Sequence, residues 1–316
     1  MKIVAILDPS VGTENLGDAI IYDAVREEID RLFADPLVIR VSTHEYMWRE
    51  SRRLLNKASH VFLGGSNLLQ PRMEWNTQWK LSPFDLLHRI DAICLGCGWK
   101  YYGRNPTRYT KALYARALSG RYLHSVRDAM TQAQLQKAGV ANAINTGCVT
   151  MWGLSPDHCA GIARHKAATV ITSVTAYNAD PDNDRFMMQT LFAQYDQVWL
   201  LVQQPEDLAY AQALAPGSFG RVVQSLRRFD ELLAAPCDYV GTRLHGGIRA
   251  LQKQRRSLIV GIDNRAIEIA RDTNLPTIHR KDLAGTLADT IAATRPIEVQ
   301  LPTDAIGRWR GQFAAI

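Results

Sequence analysis

The chain has 316 residues, of which 47% are apolar and 22% charged, a composition typical of a folded globular protein long enough for two domains. No run reaches the roughly 18 apolar residues of a membrane span, and the first residues enter a strand pattern instead of a signal peptide, so we predict a cytoplasmic protein. The net charge of +6 favours anionic partners, but Lys and Arg are scattered and not clustered with aromatic residues, which argues against nucleic acid.

The first half of the chain alternates short apolar runs with amphipathic segments. In chain order this pattern predicts a strand at 2–7, a helix at 18–33, a strand at 37–41, a helix at 44–56, a strand at 60–63, a short helix after 82, a strand at 92–95, a helix at 107–118, a strand at 122–126, a helix at 129–138 and a strand at 143–146. Such an alternation is typical of a doubly wound parallel sheet.

A polar stretch at residues 155–166 interrupts the alternation, and we place a domain boundary there, between residues 1–157 and 158–316. The alternation then restarts, with strands at 169–174, 197–202, 221–223, 238–241 and 257–261, and helices after 184 and at 205–214, 229–235, 246–254, 265–273, 281–293 and 303–314. We expect the last helix to pack back toward the first domain. The chain is therefore predicted to be an α/β protein of two similar halves, with a cleft between the carboxyl ends of their strands.

Polar or glycine-containing motifs follow four of the predicted strands, at the edge where open α/β sheets bind ligands. They are Asn15-Leu-Gly-Asp18, Gly64-Gly-Ser-Asn67, Arg127-Asp128 and residues 242–247. Each also has a simpler explanation. Asn15 and Asp18 are favoured helix caps, residues 64–67 suit a tight turn, and Arg127 can form a salt bridge with its neighbour. Because all four lie at one edge, we expect a shared ligand site.

The stretch from Tyr239 to Arg249 reads as the end of a buried strand, a polar turn and a helix that begins near His245. A helix N-terminus with neighbouring glycines favours an anion, although a glycine-containing turn with a capping histidine is the alternative. A histidine here can act as a proton donor. With Arg265 after the next strand and Arg127 across the cleft, two guanidinium groups and a histidine can converge on one small anion. We interpret Arg243 as structural.

Residues of the first half offer groups that suit a sugar. Indole faces bind the apolar side of sugar rings, so Trp75 and Trp79 are candidates for stacking, and a packed hydrophobic pair is the alternative. Asp18 can accept a hydrogen bond from a substrate hydroxyl. The backbone amides of residues 64–67 can approach a ligand closely.

The sequence predicts no metal site and no cofactor. Cys94-Leu-Gly-Cys97 lacks the second pair or the histidine cluster of a zinc site, and five cysteines in mostly apolar contexts indicate reduced, buried thiols. No HExxH motif and no convincing carboxylate cluster is present. The absence of GxGxxG after the first strand and of GxSxG argues against a dinucleotide site and a serine hydrolase.

Taken as an ordered set, six short blocks resemble the polysaccharide pyruvyl transferase family. They are Asn15-Leu-Gly-Asp18, Leu63-Gly-Gly-Ser66, Ser125-Val-Arg-Asp128, Thr146-Gly-Cys148, Thr242-Arg-Leu-His245 and Gly261-Ile-Asp-Asn-Arg265. The resemblance implies a GT-B-like fold of two Rossmann-like domains whose parallel sheets face each other across a cleft. It also implies phosphoenolpyruvate as donor and the transfer of pyruvate to two hydroxyls of a sugar, as a cyclic ketal, in polysaccharide biosynthesis.

The resemblance also assigns roles to residues. It implies His245 as the general acid. The donor-binding residues would be Arg127, Arg265, Leu244 and Gly246. The acceptor sugar would lie near Asn15, Asp18, Gly65, Ser66, Asn67, Trp75 and Trp79. Family acceptors are often lipid-linked, which together with the basic charge is compatible with peripheral association at the inner face of a membrane.

Two positions depart from the family's pattern: Arg265 stands where lysine is usual, and Ser66 where a third glycine is common. A guanidinium is a planar fork and an ammonium a point charge, so donor placement is affected more than the reaction class. One alternative is a GT-B glycosyltransferase with a nucleotide-sugar donor, for which Glu268 is the nearest candidate to hold the ribose. Another is a non-catalytic sugar- or anion-binding protein.

Overall fold

The computed structural model describes residues 2–75, 78–101, 103–215 and 219–314. The first half contains β1 (Ile3–Asp8), α1 (Leu16–Leu32), β2 (Leu37–Ser42), α2 (Arg49–Lys57), β3 (His60–Gly64), β4 (Ala92–Leu95), α3 (Arg108–Ala117), β5 (His124–Val126), α4 (Ala129–Lys137) and β6 (Ala143–Asn145). The second half contains α5 (Pro156–Ala160), β7 (Thr169–Ser173), α6 (Pro181–Gln194), β8 (Gln197–Leu201), α7 (Pro205–Leu214), β9 (Arg221–Val223), α8 (Leu226–Leu233), β10 (Asp238–Gly241), α9 (Leu244–Gln252), β11 (Ser257–Gly261), α10 (Asn264–Thr273), β12 (Thr277–His279), α11 (Leu283–Ala292) and α12 (Thr303–Gly311).

Contacts divide the chain into two compact units. Unit 1 comprises Met1–Thr13, Ile21–Trp152 and Pro302–Ile316, and unit 2 comprises Glu14–Ile20 and Gly153–Leu301. This grouping differs from the predicted division in three respects. Pro302–Ile316, which the prediction placed in the second domain, belong to unit 1. The first residues of α1 belong to unit 2, and unit 2 begins again at Gly153, before the predicted boundary at residue 158.

The main sheet of unit 1 is parallel, with the strand order β2-β1-β3-β4. Successive side chains of a strand point to opposite faces, and β1 shows this directly. Val4 and Ile6 belong to one apolar cluster, whereas Ala5 and Leu7 belong to another. Both faces are thus covered, which is why β1 reads as a continuous apolar run.

The last helix, α12, packs within unit 1. Trp309 in the helix and Phe313 just after it join the cluster on the Val4 face. Their rings lie 6.1 and 5.5 Å from the ring of Phe62, centroid to centroid. Arg310 fixes the helix further, because its Nε and Nη2 each donate to the buried carboxylate of Glu28 at 2.7 Å.

The sheet of unit 2 is also parallel, with the order β12-β11-β10-β7-β8-β9. The chain runs outward from β7 through β8 and β9, returns to β10, and then runs outward in the other direction through β11 and β12. The strand order therefore reverses between β7 and β10. In open α/β sheets, ligands bind outside the carboxyl ends of the strands at such a reversal.

Three local features differ from the sequence-based expectation. Helix α2 begins at Arg49 and not at residue 44, because the His44 ring bonds to the Pro9 carbonyl oxygen at 2.9 Å and holds this segment against the β1 loop. Helix α5 lies inside the predicted linker, where Ser155 caps it and Pro156 occupies its first position. Strand β12 was not predicted, because a strand of three half-buried residues is too short to show a hydrophobic periodicity.

Among the described residues, no helix combines the length and the apolar character needed to cross a bilayer. The five cysteines are buried free thiols, as their apolar surroundings predict. In the same described ranges, no three His, Cys, Asp or Glu side chains come together as a metal site.

Candidate active site

A pocket in unit 2 lies at the carboxyl edge of the sheet, where the strand order reverses. It encloses about 410 Å³ of empty space, part of it open to solvent. Its lining residues are Asn15, Gly17, Tyr177, Gln203, Thr242, Arg243, Leu244, His245, Ile262, Asp263, Arg265 and Ala266. Three helices, α1, α9 and α10, therefore contribute their first turns to one pocket. Each helix N-terminus carries partial positive charge and directed N–H groups, so the pocket favours an anion.

The three helices differ in how their first turns are held at the pocket. Asn15 precedes α1, and its Oδ1 accepts from the backbone N of Gly17 at 3.0 Å. Leu16 N donates to the Gln203 backbone oxygen at 3.0 Å, which ties the start of α1 to the end of β8. At α9 the N-cap residue, Arg243, makes no side-chain capping bond. The first-turn N–H groups of α9 are thus not capped by the preceding side chain, whereas α10 is capped by Asp263.

The Arg243 side chain forms a buried ion pair, which agrees with the structural role we inferred. Its Nε lies 3.0 Å from Asp207 Oδ2, and its Nη2 lies 2.6 Å from Asp207 Oδ1. Gln204 Oε1 accepts from the same Nη2 at 2.8 Å, and the Val174 carbonyl oxygen accepts from Nε at 3.2 Å. Two of its three guanidinium nitrogens, Nε and Nη2, therefore bond to protein acceptors.

Arg265 lies in the first turn of α10, with a side chain that is 31% exposed. Its Nε donates to Asp263 Oδ2 at 2.7 Å, and its Nη2 donates to the Tyr177 hydroxyl at 2.8 Å. Burial lowers the pKa of Arg265, but the hydrogen bonds and the charge of Asp263 outweigh burial, so the pKa is raised overall. The pocket thus holds a permanent cation whose charge is partly balanced by one carboxylate.

His245 is half-buried in the first turn of α9, beside Leu244. The two residues that follow are glycines packed against the sheet. A Cβ on Gly246 would lie 2.8 Å from the Tyr239 hydroxyl, and one on Gly247 would lie 2.4 Å from Ile259 Cγ1. Gly246, predicted to bind the donor, therefore acts in this structure by letting α9 approach the strands closely.

Arg127, the second predicted donor-binding arginine, lies in unit 1 directly after β5. Its side chain is 3% exposed, and its Nε donates to Asp128 at 3.1 Å. The expected salt bridge with a neighbour is therefore present, yet Nη2 is buried without a hydrogen-bond partner in the described part of the chain. Gly98 makes room for this group, since a Cβ there would lie 2.2 Å from Arg127 Cζ.

The predicted acceptor-side residues lie in different settings. Asp18 is buried in the first turn of α1, and its Oδ2 accepts from Asn15 Nδ2 at 3.4 Å. In unit 1, Gly65 and Ser66 form a left-handed turn after β3, with φ values of 67° and 57°. Because left-handed backbone favours glycine, this turn explains why a third glycine suits the position of Ser66. Asn67 Oδ1 is buried there, without a partner among the described residues.

The two tryptophans differ in exposure. Trp75 is 60% exposed, and the Arg72 guanidinium lies 4.6 Å from its ring centroid. Trp79 is 1% exposed and belongs to the core on the Leu63 face of the main sheet. The stacking role proposed for Trp79 does not fit this packing, because neither face of its ring is open to a ligand.

Gln203 and Tyr177 line the pocket but were not singled out from the sequence. Both follow a strand of the unit 2 sheet at its carboxyl end, β8 for Gln203 and β7 for Tyr177. Their position after a strand was the one signal in the sequence that could have indicated a site residue. Neither residue stands in a glycine-containing or charged motif, so neither was predicted.

Comparison with known proteins supports the fold and the family. The sequence model of the polysaccharide pyruvyl transferase family matches residues 15–264. No curated protein is a significant sequence match. The UDP-GlcNAc 2-epimerase of Methanocaldococcus jannaschii, solved with UDP-GlcNAc and UDP, is 10% identical, with 96% of this chain and 95% of that chain covered and a TM-score of 0.51. The S. aureus MnaA structure with UDP is 11% identical, with 100% and 98% covered and a TM-score of 0.45. The first of these likenesses, together with the parallel main sheet of each unit, confirms the predicted α/β, GT-B-like fold.

Proposed function

The chain belongs to the polysaccharide pyruvyl transferase family, and from this membership we propose that it transfers pyruvate from phosphoenolpyruvate to two hydroxyls of a sugar as a cyclic ketal. One observation carries the choice of donor: three helix N-termini, Arg265 and His245 share one pocket in unit 2. Phosphoenolpyruvate is a small molecule with a carboxylate and a phosphate. The partial positive charge of the helix ends and the guanidinium group suit such an anion.

His245 is proposed as the general acid. The methylene carbon of phosphoenolpyruvate accepts a proton and becomes a methyl group, which leaves an oxocarbenium-like character on the neighbouring carbon. A sugar hydroxyl adds to that carbon and loses its proton, and phosphate then departs. A second hydroxyl adds to the same carbon, loses its proton and closes the ring. The products are the ketal and inorganic phosphate.

Arg127 is retained as a second residue proposed to bind phosphoenolpyruvate. The supporting observation is its buried Nη2, which has no partner among the described residues. A buried guanidinium N–H without an acceptor destabilises the folded protein unless a ligand supplies the acceptor. On the acceptor side we retain Asn15, Asp18 and the turn at residues 65–67, together with the exposed Trp75. A lipid-linked acceptor and a location at the inner membrane face remain part of the proposal.

The test is an assay with phosphoenolpyruvate and a panel of lipid-linked or nitrophenyl sugars. We expect phosphate release that is matched by a pyruvyl ketal on one sugar, detected by mass spectrometry. Phosphate release without a ketal would point to simple hydrolysis and contradict the transfer. Turnover of a nucleotide sugar, without reaction of phosphoenolpyruvate across the panel, would favour the glycosyltransferase alternative. For that alternative, Glu268 is the expected ribose ligand, and its carboxylate hydrogen-bonds with Arg271 on the same helix.

His245→Ala should abolish turnover while largely keeping the affinity for phosphoenolpyruvate, because the helix ends and Arg265 remain in place. The measurements are steady-state kinetics and calorimetric binding. His165→Ala, at an exposed histidine of the same unit, serves as the control and should behave like the wild type. Retained turnover in His245→Ala would remove the histidine as the acid.

A further inference from the structure

Gln203 lies at the centre of the edge that forms the pocket. It follows β8, the strand next to β7, and its backbone oxygen holds the start of α1 by accepting from Leu16 N. The residue is 3% exposed and lines the pocket together with His245 and Arg265. Its backbone thus has a defined structural role, which leaves the role of its side chain to be explained.

The carboxamide of Gln203 is the unusual feature. Its Nε2 is buried and has no hydrogen-bond partner among the described residues. The next residue shows the contrast, because Gln204 Oε1 accepts from Arg243 Nη2 at 2.8 Å. A buried amide donor without an acceptor destabilises the free protein, so such a group is retained when something outside the fold satisfies it.

We propose that Gln203 is a donor-binding residue, whose carboxamide donates a hydrogen bond to an oxyanion of phosphoenolpyruvate bound in this pocket. The inference rests on the proposed function and adds a neutral donor beside Arg265 and the helix N-termini. The ligand oxygen then supplies the acceptor that the fold does not.

The proposal predicts opposite effects on binding and on stability. Gln203→Met keeps the length of the side chain but removes the donor, so phosphoenolpyruvate should bind roughly tenfold more weakly or worse. The ligand-free variant should unfold at the same temperature as the wild type or at a higher one, because the unsatisfied amide is gone. Gln203→Glu should weaken binding further, because its carboxylate repels the anion. Gln197→Met, at the exposed first residue of the same strand, is the matched control.

The experiment is calorimetric binding of phosphoenolpyruvate to the full chain, with thermal unfolding of the ligand-free variants. Unchanged affinity in Gln203→Met would overturn the inference. If that variant does not fold, unchanged affinity in Gln203→Glu would do the same. Wild-type protein that binds no phosphoenolpyruvate would overturn the donor assignment and this inference together. Wild-type binding with an unaffected Gln203→Met would overturn the inference alone.

Discussion

Two arginines that follow neighbouring strands, Arg243 after β10 and Arg265 after β11, differ in what surrounds their charge. The Arg243 side chain is 6% exposed, and its partner Asp207 is fully buried. Arg265 and Asp263 are 31% and 28% exposed. A buried ion pair that loses one member leaves an uncompensated charge, whereas a partly exposed pair is screened by water. One arginine therefore serves the fold, and the other is available to a ligand.

Arg243→Ala should lower the free energy of unfolding by about 3–5 kcal/mol, because Asp207 is left buried without its cation. Arg265→Ala should change it by less than about 1 kcal/mol and instead weaken the binding of phosphoenolpyruvate. Urea denaturation and calorimetric binding measure the two effects. If Arg243→Ala were as stable as Arg265→Ala, the structural role of Arg243 would have to be abandoned.

The sequence indicated His245 and Arg265 as site residues because both follow strands and stand in polar motifs. It could not indicate that Trp79 would be buried while Trp75, four residues earlier, is exposed. Both tryptophans stand among polar residues, and burial depends on contacts with residues distant in sequence. Gln203 was not singled out because it stands in no glycine-containing or charged motif, and its position after a strand was the only local signal.

At the scale of elements, α9 positions His245 by lying close against β10 and β11. Gly246 and Gly247 permit this approach, since a Cβ on Gly247 would lie 2.8 Å from Ile259 Cδ1 and 3.0 Å from Ser257 Oγ. Ile259 is fully buried, so its side chain has little room to move away. The glycines after the histidine thus set the distance between helix and sheet.

Gly247→Ala should therefore push α9 away from the sheet and displace His245 with it. We expect a loss of about 1–3 kcal/mol in unfolding free energy and a fall in kcat. Gly285→Ala is the matched control, because that glycine is also helical but has no atom within 4 Å of its added Cβ. The control should be neutral or up to about 1 kcal/mol more stable. Equal effects of the two substitutions would contradict the packing argument.

Element boundaries were predictable where local patterns decide them. Strands β4, β9 and β11 occupy the predicted residues. Strands β4 and β11 are mainly apolar and fully buried, so their pattern is the clearest. The start of α2 was predicted about five residues too early. The pattern of apolar residues does not reveal the bond from the His44 ring to the Pro9 oxygen. Helix propensity is a weak preference that such contacts override.

At the scale of the whole molecule, the grouping of residues 14–20 with the second half depends on long-range contacts. The bond from Leu16 N to the Gln203 oxygen joins residues far apart in the chain. The rhythm of strands and helices places α1 after β1, and so predicts that all of α1 belongs to the first half. Only the structure could show which residues make up unit 2, and therefore that α1 contributes to the pocket.

The stability of the whole protein should depend on pH through His124. The ring is fully buried, with Nδ1 accepting from Cys94 N at 3.1 Å and Nε2 lying 2.8 Å from the Ser119 oxygen. The neutral ring can make both of these hydrogen bonds. Burial lowers the pKa of His124 from 6.5 to about 4. Between these values the unfolded chain binds a proton that the folded one does not. The contribution of the neutral His124 ring to the free energy of unfolding is therefore fully present above pH 6.5. On the order of 3 kcal/mol of it is lost as the pH falls toward 4.

Buried carboxylates act in the opposite direction, so the histidine's contribution must be isolated by a variant. Burial raises the pKa of Asp184 and of Asp238, and this makes the folded state less favourable as the pH rises. Comparing wild type with His124→Gln cancels these terms, because glutamine does not titrate. Unfolding free energies from urea denaturation should fall more steeply for the wild type between pH 6.5 and 4.5, whereas His165→Gln, at an exposed ring, should follow the wild type. Parallel curves for wild type and His124→Gln would show that the buried ring is not the source of acid sensitivity.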